Sequence, residues 1–226
     1  MATQITESLL STLGSTLQGS LHTDTVMKTL YATDASAYRE MPLGVVIPDT
    51  QEDLEKIIRF ADQYSIPLIP RTAGTSLAGQ VVGEGLVVDV SKFFDQILEI
   101  NVAESYVWVE PGVVRDVLNV ELKKHGLFFG PETSTANRAM IGGMVGNNSC
   151  GSTSIIYGST RDHTLELKTI LSDGSEAIFK SLSKNEVAKK GSQQTLEGNI
   201  YNSIVDELSQ ESIKEEIKSR YPKREV

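Results

Sequence analysis

The residues best suited to do chemistry lie in one loop, residues 70–80, which reads Pro-Arg-Thr-Ala-Gly-Thr-Ser-Leu-Ala-Gly-Gln. A short apolar run, Leu68-Ile69, precedes it and predicts a strand that stops at Pro70. Gly74 and Gly79 permit backbone conformations with positive φ. Successive backbone N–H groups in such a turn form a concave anion site, and the hydroxyl groups of the loop add donors. The pattern predicts a phosphate or pyrophosphate site, with an ordinary strand-to-loop turn as the alternative.

Two common nucleotide motifs do not fit this part of the chain. The Walker loop needs a lysine before its Ser/Thr, whereas Gly74 precedes Thr75. The dinucleotide fingerprint needs three glycines, but Gly83 and Gly85 are followed by Val88 where the third belongs. The predicted anion site therefore relies on backbone donors and does not require a basic side chain.

A second stretch of small residues spans residues 130–151. Gly142, Gly143 and Gly146 fall within a short helical pattern, where each glycine costs about 1 kcal/mol relative to alanine. Close approach of the backbone to a flat ligand or to another element is the usual compensation. The polar residues 147–149 that follow offer amide and hydroxyl groups. Tight helix packing followed by a polar turn remains the alternative.

Composition narrows the class of protein. The 226 residues carry a net charge of −9, which argues against nucleic acid and anionic membrane surfaces as partners. Apolar content of 39% and charged content of 23% are typical of a soluble globular protein, and no apolar run approaches the length of a transmembrane segment. A single cysteine favours a reducing compartment, so we expect a cytoplasmic protein. Three histidines and one cysteine without ligand spacing predict no metal site.

The predicted elements place the loop at the edge of a sheet. A buried strand at 44–48, a helix capped by Thr50 and a strand ending at Ile69 predict a βαβ unit with a parallel pair. The loop then follows the carboxyl end of a strand, where open α/β sheets bind ligands. Near residue 92 this lobe gives way to a second lobe with mostly antiparallel strands. Its predicted elements are strands at 97–101 and 106–109, a helix at 113–125 and a hairpin at 165–179. The predicted class is α+β, with helices after residue 180.

Three motifs occur together in the order and spacing of one family. They are residues 70–80, Ile141-Gly-Gly-Met-Val-Gly-Asn-Asn-Ser149 and Tyr157-Gly-Ser-Thr-Arg-Asp-His163. They resemble the FAD-binding domain of the vanillyl-alcohol-oxidase/p-cresol-methylhydroxylase superfamily, in the branch of D-lactate dehydrogenases, glycolate oxidase and D-2-hydroxyglutarate dehydrogenase. Residues 31–40 with 45–48 resemble that branch too, so the resemblance covers residues 31–180.

The resemblance implies two α/β subdomains that clasp an extended FAD. The expected boundaries are an N-terminal helical segment at 1–30, subdomains at 31–92 and 93–181, and the start of a truncated substrate domain at 182–226. Residues implied to contact the cofactor are Pro70, Arg71, Thr72, Ala73, Gly74, Thr75, Ser76 and Gln80 at the pyrophosphate; Pro131, Glu132, Thr133, Ser134, Met140, Ile141, Gly142, Gly143, Asn148, Ser149, Gly151, Tyr157 and Gly158 at the ribityl chain and flavin; and Leu165 and Ile178 at the adenine. His163 is interpreted as a hydrogen-bonded structural histidine, with a flavin neighbour as the alternative. Cys150 is interpreted as a small buried thiol, with a cofactor contact as the alternative.

The resemblance also implies an activity. A D-2-hydroxy acid such as D-lactate, glycolate or D-2-hydroxyglutarate would pass a hydride to flavin N5, and the electrons would go on to an unknown acceptor. The substrate-binding and proton-accepting residues of such enzymes come from a following domain, so no catalytic residue is assigned and we expect a fragment with little turnover of its own. The alternative is a flavin-binding module for electron transfer or assembly within a larger redox complex.

Overall fold

The computed structural model describes residues 7–221, which divide into one compact unit up to residue 165 and a second from residue 166 onward. Helices alternate with three separate sheets, which confirms the α+β class. The domain boundaries expected from the sequence are not tested by this division and stay predictions. Across the described part of the chain, no helix combines the length and apolarity needed to cross a membrane.

The first unit begins with a four-stranded sheet. Its strands are β1 Ser20–His22, β2 Gly44–Ile47, β3 Leu68–Arg71 and β4 Leu86–Asp89, in the order β1-β2-β4-β3. β1 is antiparallel to β2, while β2 and β3 both run parallel to β4. The predicted direct pairing of β2 with β3 is therefore wrong, because β4 lies between them.

The position of β3 has a physical cause in Pro70. All four residues of β4 are buried, as expected for a central strand, whereas those of β3 are at most partly buried. Proline has no N–H to donate to a ladder and is tolerated at a sheet edge. At this edge β3 does not stop at Pro70 as predicted but continues to Arg71, which pairs in register with Asp89.

Three helices pack around this sheet. They are α1 Glu7–Gly14, α2 Thr25–Tyr31 and α3 Gln51–Tyr64. The prediction that Thr50 caps α3 is confirmed, since its hydroxyl accepts from the backbone N of Asp53 at 3.2 Å. The buried core here comprises Leu10, Leu13, Val45, Val46, Ile57, Ala61, Ile66, Leu86, Val87 and Val88.

The remainder of the first unit follows an antiparallel pair, β5 Ile97–Asn101 and β6 Tyr106–Val109, as predicted. The helices after it are α4 Arg115–Lys123, α5 Ile141–Asn147 and α6 Ser154–Tyr157, followed by a 3-10 turn at Thr160–His163. Val113, Leu118 and Leu122 form its buried core and pack against apolar side chains of β5 and β6.

The second unit opens with the predicted hairpin, β7 Glu166–Ile170 and β8 Glu176–Lys180. Gly174 adopts a φ of +78° in the connecting turn, the conformation that glycine permits. Three helices complete the unit: α7 Lys184–Gly191, α8 Leu196–Ser209 and α9 Glu211–Arg220.

One buried carboxylate fixes the N-terminal elements onto α3. Asp53 is fully buried, and its oxygens accept from the backbone N of Gln18 at 2.9 Å, Gly19 at 2.8 Å and Asp49 at 3.1 Å. Burial by itself raises the pKa of Asp53, but these backbone donors outweigh it and hold the pKa below its ordinary value. The ionised carboxylate therefore joins the segment before β1 to the first turn of α3.

We expect Asp53→Asn to lower the free energy of unfolding by about 2–4 kcal/mol at pH 7, because it removes a charged acceptor from three backbone donors. The folded pKa lies below the unfolded one, so this stabilisation is complete above about pH 4 and is lost as the pH falls through the folded pKa. Urea unfolding of both proteins between pH 7 and pH 3 measures the difference, which should shrink on acidification.

The neighbouring Glu52→Gln is the matched control. The Glu52 side chain is 65% exposed and forms a surface ion pair with Lys56, so its loss should cost less than about 1 kcal/mol. A difference between wild type and Asp53→Asn that does not change with pH would contradict the assigned role of the carboxylate.

Candidate cofactor site

The loop after β3 presents a row of free backbone donors. Gly74 and Gly79 adopt φ values of +64° and +70°, as the sequence predicts. Within residues 7–221, the backbone N–H groups of residues 73–77 have no protein acceptor. The Ser76 hydroxyl closes the far side of the loop by accepting from the backbone N of Ala78 at 3.1 Å and of Gln80 at 3.4 Å. Five successive donors in partly exposed backbone fit an anionic ligand such as a pyrophosphate.

Arg71, at the base of the loop, is engaged with the protein. Its Nη1 donates to the carbonyl oxygens of Thr33 at 2.8 Å and Tyr31 at 3.4 Å. The guanidinium carbon lies 5.0 Å from the centre of the Tyr31 ring, within range of a cation–π contact. The side chain thus ties the end of β3 to the segment that follows α2.

Tyr31 is itself held by the end of the neighbouring strand. Its hydroxyl donates to Oδ2 of Asp89 at 2.5 Å, and the other oxygen of Asp89 accepts from the backbone N of Ser91 at 2.8 Å. Burial and the bond to Asp89 raise the pKa of Tyr31 far above its ordinary value, so the phenol stays a donor. Sequence reasoning missed this pair; the signal available for it was an acidic residue that ends a buried apolar strand.

The three glycines of α5 differ in what surrounds them. A Cβ on Gly142 would lie 2.5 Å from Cβ of Pro111, and one on Gly143 would lie 2.8 Å from the Thr72 hydroxyl. A Cβ on Gly146 would meet no atom within 4 Å. Close approach to protein therefore accounts for the first two glycines and brings α5 beside the loop, while Gly146 faces open space.

A chain of side-chain hydrogen bonds connects the loop to the end of α5. The Ser76 hydroxyl donates to Oε1 of Gln80 at 2.7 Å, and Nε2 of Gln80 donates to Oδ1 of Asn147 at 2.9 Å. Nδ2 of Asn147 then donates to the Ser149 hydroxyl at 2.9 Å. Gln80 and Ser149 were predicted site residues, and Asn147 is the link between them that the prediction left out.

The other predicted segments of the first unit also meet. A Cβ on Gly151 would lie 2.2 Å from the carbonyl oxygen of Glu132, so the two backbones are in direct contact. A Cβ on Gly130 would lie 2.9 Å from Cβ of Tyr157. Residues 131–134, 148–149, 151 and 157–158, predicted to line the flavin, are thus brought together by close packing at these glycines.

Two individual residues can be checked against their predicted roles. Nε2 of His163 lies 2.6 Å from the carbonyl oxygen of Tyr157, which confirms that this histidine is hydrogen-bonded, while its structural role stays a prediction. Cys150 is exposed, so the prediction of a buried thiol is wrong. The preceding Ser149 takes the buried position instead, where its carbonyl oxygen accepts from the Thr160 hydroxyl at 2.7 Å.

The predicted adenine neighbours lie on either side of the boundary between the two units. Leu165 is the last residue of the first unit and is 66% exposed, and Ile178 lies in β8 of the second and is 40% exposed. Their assignment to the adenine stays a prediction.

A family model described as "FAD binding domain" matches residues 42–178, and the prediction of FAD as the cofactor is confirmed on that match. The D-2-hydroxyglutarate dehydrogenase of Pseudomonas putida is 42% identical over 70% of this chain and 16% of that protein. The enzyme of the same name from Escherichia coli is 38% identical over 80% of this chain and 18% of that protein. Glycolate oxidase subunit GlcD of Bacillus subtilis is 33% identical over 64% of this chain and 31% of that protein.

Solved structures show the same fold at low sequence identity. p-Cresol methylhydroxylase superposes with a TM-score of 0.67 at 16% identity and covers 77% of this chain and 36% of its own. Alkyldihydroxyacetonephosphate synthase superposes with a TM-score of 0.68 at 17% identity and covers 80% of this chain and 39% of its own. The chain spans less than a fifth of the length of the dehydrogenases that it matches.

The glycines of α5 give a prediction about packing. We expect Gly142→Ala to lower the free energy of unfolding by about 1–2 kcal/mol, because the backbone of Pro111 must move to admit the methyl group and this outweighs the gain in helix propensity. Gly146→Ala is the control in the same helix and should raise the free energy by about 0.5–1 kcal/mol, since its methyl group meets nothing. Urea unfolding measures both; equal effects of the two substitutions would contradict the contact with Pro111.

Proposed function

The chain belongs to the FAD binding domain family, and we propose that it holds the FAD of a D-2-hydroxy-acid oxidoreductase through a backbone cradle for the pyrophosphate. The row of N–H groups at residues 73–77, without acceptors in the described protein, is the observation that carries this assignment. The hydroxyls of Thr72 and Thr75 supply further donors around the same loop.

The other proposed cofactor contacts are those that the family resemblance implies. Residues 131–134, 140–143, 148–149, 151 and 157–158 line the ribityl chain and flavin, and Leu165 and Ile178 contact the adenine. FAD supplies the redox chemistry by accepting a hydride equivalent at flavin N5. The residues of this chain bind the cofactor, orient it and exclude water from part of its surface.

The proposed substrate class comes from the relatives. Those with 36–42% identity are named D-2-hydroxyglutarate dehydrogenase, and others are named for glycolate and D-lactate. We propose that the whole protein oxidises a D-2-hydroxy acid of this group, with the proton of the hydroxyl group taken by a base outside residues 1–226. On that proposal residues 182–226 begin a substrate domain, this chain alone has little turnover, and the electron acceptor is a separate molecule.

A second candidate function is a flavin-binding module within a larger redox assembly. One relative, glycolate oxidase GlcD, is named as a subunit, and that name favours such an arrangement. The two candidates differ in whether the polypeptide that contains this domain oxidises a hydroxy acid without partner chains.

A titration with FAD tests the cradle. The purified chain should show flavin absorption bands or bind added FAD saturably, and Gly74→Asp should abolish binding, because a carboxylate placed in the loop repels the pyrophosphate and a side chain at this φ is strained. Flavin absorbance and fluorescence measure the binding.

Gly126→Asp is the matched control for that titration. Gly126 also has a positive φ, +71°, but lies outside the loop, and a Cβ at this position would meet nothing within 4 Å. The substitution therefore reproduces the added charge and the backbone strain without altering the site. Its FAD affinity should stay within about threefold of wild type. Loss of binding in both variants, or in neither, would contradict the cradle.

A turnover assay compares the activity of this chain with that of a protein that also contains a substrate domain. With FAD bound, this chain should reduce an artificial electron-accepting dye at a negligible rate in the presence of D-2-hydroxyglutarate, D-lactate or glycolate. A protein that contains this domain and a substrate domain should reduce the dye when one of these three acids is supplied. Dithionite reduction of the flavin confirms that the cofactor is competent. Enzyme-like rates from residues 1–226 would contradict the need for a further domain.

A further inference from the structure

We propose that Arg71 is a positioning residue, which holds the loop of residues 70–80 in its receptive conformation. The inference rests on the proposed function, since it concerns how the cradle for FAD is maintained. It assigns to Arg71 a supporting role that the direct pyrophosphate contact implied by the family resemblance does not include. Three sets of contacts carry it.

The first set holds the guanidinium group from the side of α2. Nη1 donates to the carbonyl oxygens of both Tyr31 and Thr33, and the guanidinium lies over the Tyr31 ring. The acceptors are well fixed, because the backbone between them, at Ala32, is fully buried and its carbonyl oxygen accepts from the N of Glu40 at 3.0 Å. The charged group is therefore docked on a rigid segment.

The second set fixes the ring on which Arg71 lies. Tyr31 donates to Asp89, and Asp89 is the residue opposite Arg71 in the register of β3 and β4. Arg71, Tyr31 and Asp89 thus form a closed arrangement that spans the carboxyl ends of two strands and the end of α2. A planar guanidinium that bonds two carbonyls while stacking on a ring has little freedom to leave.

The third set connects this arrangement to the loop. A Cβ on Gly74 would lie 2.4 Å from Nη2, 2.8 Å from Cζ and 2.9 Å from Nε of Arg71. The guanidinium plane is therefore packed directly against the backbone of Gly74, within the row of donors at residues 73–77. Gly74 is required here both by its positive φ and because any side chain would displace Arg71.

These contacts commit part of the guanidinium group to the protein. Nη1 donates to two backbone carbonyls, while Nη2 and Nε lie against Gly74, where they support the row of backbone N–H groups at residues 73–77. A lysine is a good phosphate ligand as a point charge, but it cannot reproduce the planar group that packs beneath Gly74. Substitution of Arg71 by lysine therefore separates the two roles.

The first measurement needs no FAD. In the ligand-free wild-type chain, ¹⁵N relaxation should give backbone order parameters of about 0.85 for residues 73–79. In both Arg71→Lys and Arg71→Met these values should fall below about 0.6, while the order parameters of α3 stay unchanged. Arg59→Met, which alters an exposed arginine of α3, is the control and should leave the loop ordered. Unchanged order of the loop in both Arg71 variants would overturn the proposal, whether or not the chain binds FAD.

The second measurement is the affinity for FAD across a range of salt concentration. Both Arg71 variants should bind about tenfold more weakly or worse, to a similar extent, because the donors are misplaced in each. A lysine variant that binds within about threefold of wild type while the methionine variant does not would overturn the proposal in favour of a direct charge contact. If the wild-type chain binds no FAD, the proposed function fails and the relaxation measurement alone decides the role of Arg71.

Gly74→Ala replaces the Arg71 variants if those do not fold. Its Cβ displaces the guanidinium while every native side chain is kept, so the same loss of order in residues 73–79 is expected. Gly126→Ala, with a similar positive φ and no neighbours within 4 Å of the added Cβ, controls for backbone strain. A loop that stays ordered in Gly74→Ala would overturn the proposal.

Discussion

The arrangement of the first unit depends on a proline at the end of an edge strand. Pro70 cannot donate to a ladder, so β3 lies at the edge of its sheet, and the apolar β4 takes the central place between β2 and β3. The carboxyl ends of β3 and β4 then lie side by side, with Arg71 opposite Asp89. That pairing brings the base of the loop at residues 70–80 beside the buried carboxylate of Asp89, and the loop leaves the sheet at this edge.

Backbone N–H groups without acceptors can bind a ligand only if the structure around them holds them in place. Ordinary folded segments satisfy their N–H groups internally, and a loop that leaves five successive donors without acceptors in the described protein forgoes that stabilisation. Other contacts supply the order here. Arg71 packs beneath Gly74, and the chain of hydrogen bonds from Ser76 through Gln80 to Asn147 joins the far side of the loop to α5.

Close backbone approach explains two of the glycines of α5. Helix propensity disfavours them, yet Gly142 and Gly143 let the helix backbone approach Pro111 and Thr72 closely, which places α5 beside the loop. Gly151 likewise lets its backbone approach the backbone of Glu132 closely. Small residues thus bring segments that are distant in sequence into close contact within the first unit.

The sequence by itself determined the local features of this protein. Positive φ at Gly74 and Gly79, the Thr50 cap, the antiparallel pair β5–β6 and the hairpin β7–β8 all follow from short-range preferences that neighbouring residues decide. The spacing of three motifs was also sufficient to indicate the family and its cofactor.

Only the tertiary structure decided which distant groups meet. The insertion of β4 between β2 and β3, the bond between Tyr31 and Asp89 and the exposure of Cys150 depend on sheet order and on packing between segments far apart in the chain. Periodicity and residue type carry no information about such pairings, because several partners would satisfy the same pattern. The role of Arg71 belongs to this class, since a basic residue beside a glycine-rich loop has the same sequence signature whether it binds the ligand or supports the backbone that does.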